Sequence, residues 1–287
     1  MKVLLVSCGD VPTGDGDDDA LVGALDDVGV HAEWAPWDSG VDFAAADLAV
    51  LRSPWDYTDR LPEFLAWCAT VPGLANPLPV VRWNTDKAYL VELAAAGVPV
   101  VPTTLLHPGD RPRWPSGGFV VKPAVGAGSR GALKVADGDH AAADAHWESL
   151  GAKALLQPYQ SAVDSHGETA VVYFGGQYSH AFTKGAMLTE DAVLDPSGTF
   201  IVERLSPAVP DAARRRVAED VLDAATGLLG IRRADLLYAR VDLVAGEDGS
   251  PLLLELELAE PSLGFRQTDA AAPQRFASAV RAALSAR

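Results

Sequence analysis

Cysteine is almost missing from the chain: Cys8 and Cys68 are the only two in 287 residues, too few and too far apart for a disulfide framework or a zinc site. That scarcity fits a reducing cytoplasm. Basic side chains are also short in supply. Twenty-three Lys and Arg face 39 Asp and Glu, a formal charge of −16 that opposes binding to DNA, RNA or an anionic membrane surface. A phosphate compound could be handled only where local Lys, Arg or metal ions reverse that field. Long hydrophobic runs are absent as well. The apolar stretch in Met1–Asp10 is too short for a signal peptide, and no later run approaches membrane-spanning length. It reads as a buried first strand. What remains is ordinary globular composition, 48% hydrophobic and 22% charged, in a chain long enough for two or three closely packed subdomains.

Short apolar strands alternate with helices over residues 1–82: strands 3–7, 30–35 and 47–51, helices 19–28 and 60–70. This alternation predicts a parallel α/β unit. The acidic run Asp15 to Asp19 lacks the glycine and closing glutamate of a calcium loop, and is expected as a solvated helix N-terminus. A helix is expected from Trp83 to a glycine stop at Gly97, carrying Asp86, Lys87 and Tyr89. Further strands are predicted at 118–122, 132–136, 153–157, 168–174, 177–183 and 200–203, with helices at 139–150 and 211–229. The polar segment 185–199 reads as a lid.

The densest chemistry lies near the end, where Tyr238–Val244 and Leu252–Leu258 both alternate apolar with polar residues around a Gly/Asp turn. Period two puts Arg240 and Asp242 on one face of the first strand and Glu255 and Glu257 on one face of the next. Three carboxylates crowded together repel unless something positive sits between them, and hard oxygens without His or Cys suit Mg²⁺ or Mn²⁺. The alternative is a solvated strand face with Arg240 serving as counter-ion to Asp242. Upstream, Lys122 ends the apolar strand Phe119–Pro123, where an amine is costly to bury without an anion. Gly126, Gly128, Ser129, Arg130 and Gly131 follow. The spacing contains GxGxxG, yet the next residues alternate like a strand, which excludes a Rossmann site and leaves either a flexible turn or a hairpin folded over phosphates. Gln157, Pro158 and Tyr159 end the next strand; they are either an ordinary strand end or a hinge whose freed backbone meets an adenine edge. Glu168 opens a strand as a lone acid among apolar residues.

In this order, Asp86-Lys87, Val-Val-Lys122-Pro, the glycine loop, Leu-Leu-Gln157-Pro-Tyr, Gly-Glu168, Arg240-Val-Asp242 and Glu255-Leu-Glu257 resemble the ATP-grasp superfamily of carboxylate-activating ligases, over roughly residues 83–263. The resemblance implies an N-terminal parallel α/β unit (1–82) on the substrate side, a central lid subdomain (83–160) and a C-terminal metal and catalytic subdomain (161–287), the latter two α+β and clasping ATP. It implies that Lys87 and Lys122 hold phosphates, that Gln157 and its neighbours hold adenine, and that Asp242, Glu255 and Glu257 hold two Mg²⁺ ions, with Mn²⁺ as the alternative metal. Many relatives carry Asn where Glu257 stands, so the charge at the metals is more negative here. Arg240 is then placed to stabilise the transferred phosphoryl or an acyl-phosphate oxyanion.

On the substrate side, Arg52, Ser53, Trp55, Asp56 and Tyr57 follow a strand whose carboxyl end faces the expected crevice, and Arg52 with Asp56 suits an amino-acid-like zwitterion. Lys184 and Arg204 flank the lid as contacts for the reacting carboxylate or γ-phosphate, and Glu260 and Ser262 line the acceptor side. Arg-Ser-Pro-Trp-Asp-Tyr57, Trp-Asn-Thr-Asp-Lys87 and Glu-Leu-Glu-Leu-Ala-Glu-Pro-Ser262 are similar to the branch containing the cyclo-ligase that closes O-ureido-D-serine to D-cycloserine. The expected activity is therefore an ADP-forming ligase for a small substrate, with no nucleic-acid or membrane partner and with a homo-oligomer allowed. An intermolecular ligase, a phosphotransferase and a nucleotide-binding module that has lost catalysis are the competing classes.

Overall fold

The computed structural model describes residues 1–189, 193–196, 198 and 200–286. Three sheets follow one another along the chain. In the first, β1 (Lys2–Ser7), β2 (His31–Pro36) and β3 (Leu48–Ser53) pair in parallel in the order β2-β1-β3, with α1 (Leu21–Asp27) crossing between β1 and β2 and α2 (Leu61–Cys68) following β3. Every residue of β3 is buried, the reading expected of a parallel strand covered on both faces.

The helix expected from Trp83 to Gly97 is two helices, α3 (Leu78–Asn84) and α4 (Tyr89–Ala95). Asp86 and Lys87 lie in the break, because the Lys87 amide donates to the carbonyl of Ala124 (2.8 Å) rather than back along a helix. The second sheet holds β4 (Thr104–Leu106), β5 (Phe119–Pro123), β6 (Leu133–Val135) and β7 (Ala154–Pro158), antiparallel in the order β4-β7-β5-β6. It is backed by α5 (His140–Leu150), and the short α6 (Val163–His166) follows. The glycine loop thus joins two antiparallel neighbours, β5 and β6, as its sequence required.

The third sheet contains β8 (Glu168–Phe174), β9 (Gln177–Lys184), β10 (Leu205–Ala208), β11 (Tyr238–Ala245) and β12 (Pro251–Glu257), antiparallel in the order β10-β9-β8-β11-β12. Gly175 and Gly176, both at positive φ, make the tight β8–β9 turn. The strand expected at 200–203 lies instead at 205–208, where Leu205 pairs with Lys184 at the end of β9. Helix α7 (Ala212–Leu229) agrees with the sequence reading. Helix α8 (Ala272–Ser285) was not expected, although Ala272, Phe276, Ala277 and Val280 recur at helical spacing and are buried.

The cores cut across chain order. Leu90 and Leu93 of α4 pack with Val221 and Leu222 of α7 and with Val241 and Leu256, so the α3–α4 pair covers the third sheet. Phe276 and Val280 of α8 pack with Leu21 and Leu25 of α1 and with Val172 and Phe174 of β8, which returns the C-terminus to the N-terminal unit.

Two buried asparagines stitch these layers to the β11–β12 hairpin. Asn76, at φ +54°, donates to the carbonyls of Tyr238 (2.8 Å) and Leu258 (2.7 Å) and accepts from the amide of Leu237 (2.7 Å). Asn84 donates to Leu256 (2.7 Å) and accepts from Leu258 (2.7 Å). The Tyr238 hydroxyl lies within hydrogen-bond distance of the carbonyls of Leu51 (3.0 Å) and Ala259 (2.8 Å). Replacing Asn76 by Ala strands three buried backbone groups and is expected to cost roughly 3 kcal/mol or more in urea unfolding. A loss below about 1 kcal/mol would contradict this role.

Candidate active site

The β11–β12 register places Arg240 opposite Glu257 and Asp242 opposite Glu255, so the four side chains share one face as period two demanded. That face is buried, not solvated. Asp242 is 0% exposed, and both its oxygens are taken: Arg240 Nε reaches Oδ1 (2.9 Å), while Lys184 Nζ (2.8 Å) and Arg240 Nη2 (2.9 Å) reach Oδ2. Although burial opposes it, the Arg240 and Lys184 charges hold the Asp242 carboxyl down at about 2. Lys184 also pairs with Glu168 (3.0 Å), and Arg240 with Glu257. Lys87 lies 2.9 Å from Glu255 and donates to the Gly126 carbonyl in the glycine loop. The protein's own cations therefore sit between the carboxylates.

Of the three carboxylates expected to hold metal, two face the cavity and one does not. Glu255 and Glu257 line the cavity, whereas Asp242 lies behind Arg240 and Lys184, and among the described residues no three acidic, His or Cys side chains form a ready metal cage. The remaining donor pair still fits a hard divalent ion. Burial, opposed by Arg240 and reinforced by Glu255 and Asp242, pushes the Glu257 carboxyl up to about 8. A cation taking the place of that proton would relieve the like-charge cost.

One cavity of about 520 Å³ collects most of the expected residues: Lys87, Lys122, Gly126, Gly128, Ser129, Arg130, Gln157, Pro158, Tyr159, Glu168, Lys184, Arg240, Glu255, Glu257, Trp55, Tyr57, Glu260 and Ser262 all line it. Lys122 has no hydrogen-bond or salt-bridge partner among the described residues. Burial pulls its ammonium below the usual value, and Glu255 only partly offsets this. An amine in that state fits an incoming anion such as a phosphate chain. The loop beside it is bent to suit. Gly128 and Ser129 both lie at φ +58°, and among the described residues Ser129 is one of two non-glycine residues in the left-handed region.

Arg130 does not point to phosphate as expected. It reaches across to Thr58 Oγ1 (2.7 Å) and Asp59 (2.7 Å), tying the loop to the first unit. At the other end β4 stops pairing at Leu156, which frees the far edge of Gln157 and Pro158. The Gln157 amide bonds Thr103 (2.9 Å), and Val120, Val163, Leu254 and Leu256 supply apolar walls suited to an aromatic ring.

The substrate side is rearranged most. Arg52 is 1% exposed and locked by Asp18 (2.9 and 3.1 Å) and the Pro261 carbonyl (2.9 Å), so it braces the wall and has no free edge for a substrate carboxylate. Asp56 accepts from Trp37 (2.8 Å) and Arg60 (3.3 Å), and Ser53 is buried against Val11. None of the three lines the cavity. Nor does Arg204, whose Nη2 donates to the Ala186 carbonyl (3.2 Å) at the base of the loop. Within the expected lid, residues 190–192, 197 and 199 lie outside the described residues; Met187, Leu188 and Phe200 line the cavity, and Phe200 meets Trp55 edge to face at 5.0 Å. The acidic run is solvated only at its ends, since Asp17 and Asp18 are 8% and 4% exposed while Asp15 and Asp19 are open to solvent. Sequence reasoning missed Asn84, Glu203 and Asp17 in the cavity wall. Only Glu203, next to the flagged Arg204, had a local signal.

Residues 3–78 match the family model described as the N-terminal domain of D-cycloserine synthetase DcsG. Over 278 residues the chain is 41% identical to the cycloserine biosynthesis protein DcsG of Streptomyces lavendulae, covering 91% of each. It superposes on the crystal structure of D-cycloserine synthetase DcsG with a TM-score of 0.88 at 38% identity, over 99% of this chain and 100% of that one. The D-alanine–D-alanine ligase of Bacillus anthracis, solved with ATP, matches at a TM-score of 0.65 and 15% identity over 100% and 98% of the two chains, a likeness of fold alone.

Lys122→Met should weaken ATP binding at least tenfold by calorimetry while leaving the nucleotide-free melting temperature unchanged or higher, because it removes a buried charge with no partner. Unchanged ATP affinity would contradict the phosphate role. Asp242→Asn should abolish turnover and, by unpairing two buried cations, cost about 3–5 kcal/mol near neutral pH. A carboxyl held below its unfolded value contributes stability above that value and loses it on acidification. The gap between wild type and variant should therefore narrow as pH falls from 3.8 towards 2, and a gap independent of pH in urea titrations would overturn the pairing.

Proposed function

The chain belongs to the DcsG family of ATP-grasp ligases, and from that premise we propose that it uses ATP to activate the carboxylate of O-ureido-D-serine and closes it onto a nitrogen of the same molecule, giving D-cycloserine. The observation that carries this reading is the convergence, in one cavity, of the unpartnered Lys122 with Arg240 and Lys184 locked on Asp242. Lys122 and Lys87 hold the phosphate chain, and the Gln157–Tyr159 edge receives the adenine.

Arg240 has its Nε and Nη2 fixed on Asp242 and its Nη1 on the Ser262 carbonyl (2.7 Å), so it cannot swing away as charge develops on the transferred phosphoryl. Glu255 and Glu257 would hold divalent magnesium, which would supply further neutralisation of that charge. Trp55, Phe200 and Met187 exclude water from the activated acyl carbon.

The nitrogen bonded to the side-chain oxygen then attacks that carbon and phosphate departs; the carbamoyl group on that nitrogen is lost to water as carbamate, which breaks down to carbon dioxide and ammonia and leaves the ring N–H. A cavity of about 520 Å³, with Trp55, Tyr57 and Glu260 along its acceptor side, supports one small zwitterion beside the nucleotide better than two separate substrates. Tethering also removes the translational entropy of a second reactant, with effective molarities on the order of 10⁵ M or more.

Incubation with ATP, Mg²⁺ and O-ureido-D-serine should give the ring by mass spectrometry and one ADP per ring. A linear amide built from two added substrates would overturn the intramolecular reading, and ATP hydrolysis without any acyl product would overturn the ligase reading for this substrate.

A further inference from the structure

Among the described residues, three buried side-chain polar atoms have no hydrogen-bond partner: Tyr173 Oη, Arg215 Nε and Asp17 Oδ2. The first two line no part of the active-site cavity; Asp17 does. Its carboxylate is 8% exposed and half satisfied. Oδ1 accepts from the Arg266 amide (3.1 Å), while Oδ2 is left bare inside the wall. A desolvated carboxylate oxygen with no donor is costly unless a ligand supplies one.

The surrounding loop is built to hold that oxygen in place. Asp18, the next residue, turns the opposite way and forms the buried bidentate pair with Arg52. The Asp17 amide donates to Asp15 Oδ1 (3.0 Å). Gly16 sits at φ +90° beneath the Arg266 guanidinium, where a Cβ would come within 2.7 Å of Nη2. Adjacent acids thus divide the work, Asp18 anchoring the loop and Asp17 facing the cavity.

We infer that Asp17 is the residue that binds the α-ammonium of the substrate. The ligand class is a primary ammonium carried next to a carboxylate, and the inference rests on the amino-acid reading of the cavity proposed above. The placement fits a zwitterion. Segment 262–266 joins the two ends of the substrate region, since the Ser262 carbonyl accepts from Arg240 and the Arg266 amide donates to Asp17. A carboxylate presented to Arg240 and Lys184 leaves the ammonium on the neighbouring carbon to meet Asp17. A primary ammonium provides the donor that Oδ2 lacks and cancels its charge in the same contact.

The test is calorimetry on the enzyme loaded with Mg²⁺ and a non-hydrolysable ATP analogue, using O-ureido-D-serine and its deamino counterpart, 3-(ureidooxy)propanoate. Asp17→Asn keeps an oxygen for the Arg266 amide and should fold, as a melting curve will verify. Asp19→Asn removes the same charge from an exposed ion pair with Arg266 outside the cavity. Wild type and Asp19→Asn should prefer the zwitterion over the deamino acid by about 10–100-fold. Asp17→Asn should lose that preference by weakening the zwitterion alone, with affinity for the deamino acid and the nucleotide held within about twofold.

Equal weakening of both acids, or a preference that survives in Asp17→Asn, would overturn the assignment, as would a wild type with no preference. A wild type that discriminates between the two acids yet forms no ring would contradict the cyclisation reading and leave this one standing.

Discussion

Everything at the centre of this protein hangs on one buried carboxylate. Asp242 is fully enclosed, and two cations from different strands, Arg240 of β11 and Lys184 of β9, close on it. Arg240 and Lys184 in turn fix Glu257 and Glu168, so the ion network spans β9, β8, β11 and β12. Enclosed charges of this kind are costly to desolvate and are held only by good geometry around them. That geometry is imposed by the sheet, whose register sets Arg240 against Glu257 and Asp242 against Glu255. The return is preorganisation: Arg240 and Lys184 are already oriented before any ligand arrives.

The same constraint orders the surrounding layers. Asn76, Asn84 and Tyr238 fasten the first unit and α3 to the backbone of β11 and β12 and to the residues beyond it. Lys87 bridges Glu255 and the glycine loop, and Arg130 ties that loop to Thr58 and Asp59. The glycine loop is thereby linked at its root to Glu255 through Lys87 and at its tip to the first unit.

What could be read from the sequence was whatever depends on local period. The carboxylate face of the hairpin, the strand ending at Lys122 and the strand-to-strand character of the glycine loop all follow from alternation, and all appear in the fold. What could not be read depends on partners distant in the chain. The acidic run looks like a solvated helix start until Arg52, 34 residues on from Asp18, is seen folded onto it. Arg52 itself looks like a substrate ligand for the same reason. Burial of Asp242 is equally silent, because alternation names a face without saying what covers it. The break at Lys87 arises from a backbone bond to Ala124, a contact that helical propensity cannot register. The α8 helix was missed although its buried apolar residues recur at helical spacing.

The central claim is that this ion network serves to activate a carboxylate by phosphorylation, and oxygen labelling tests it directly. O-ureido-D-serine carrying ¹⁸O in both carboxylate oxygens should, on turnover with ATP, give inorganic phosphate with one ¹⁸O atom per molecule and a ring that keeps the other. Phosphate released free of label while the ring forms would contradict the account.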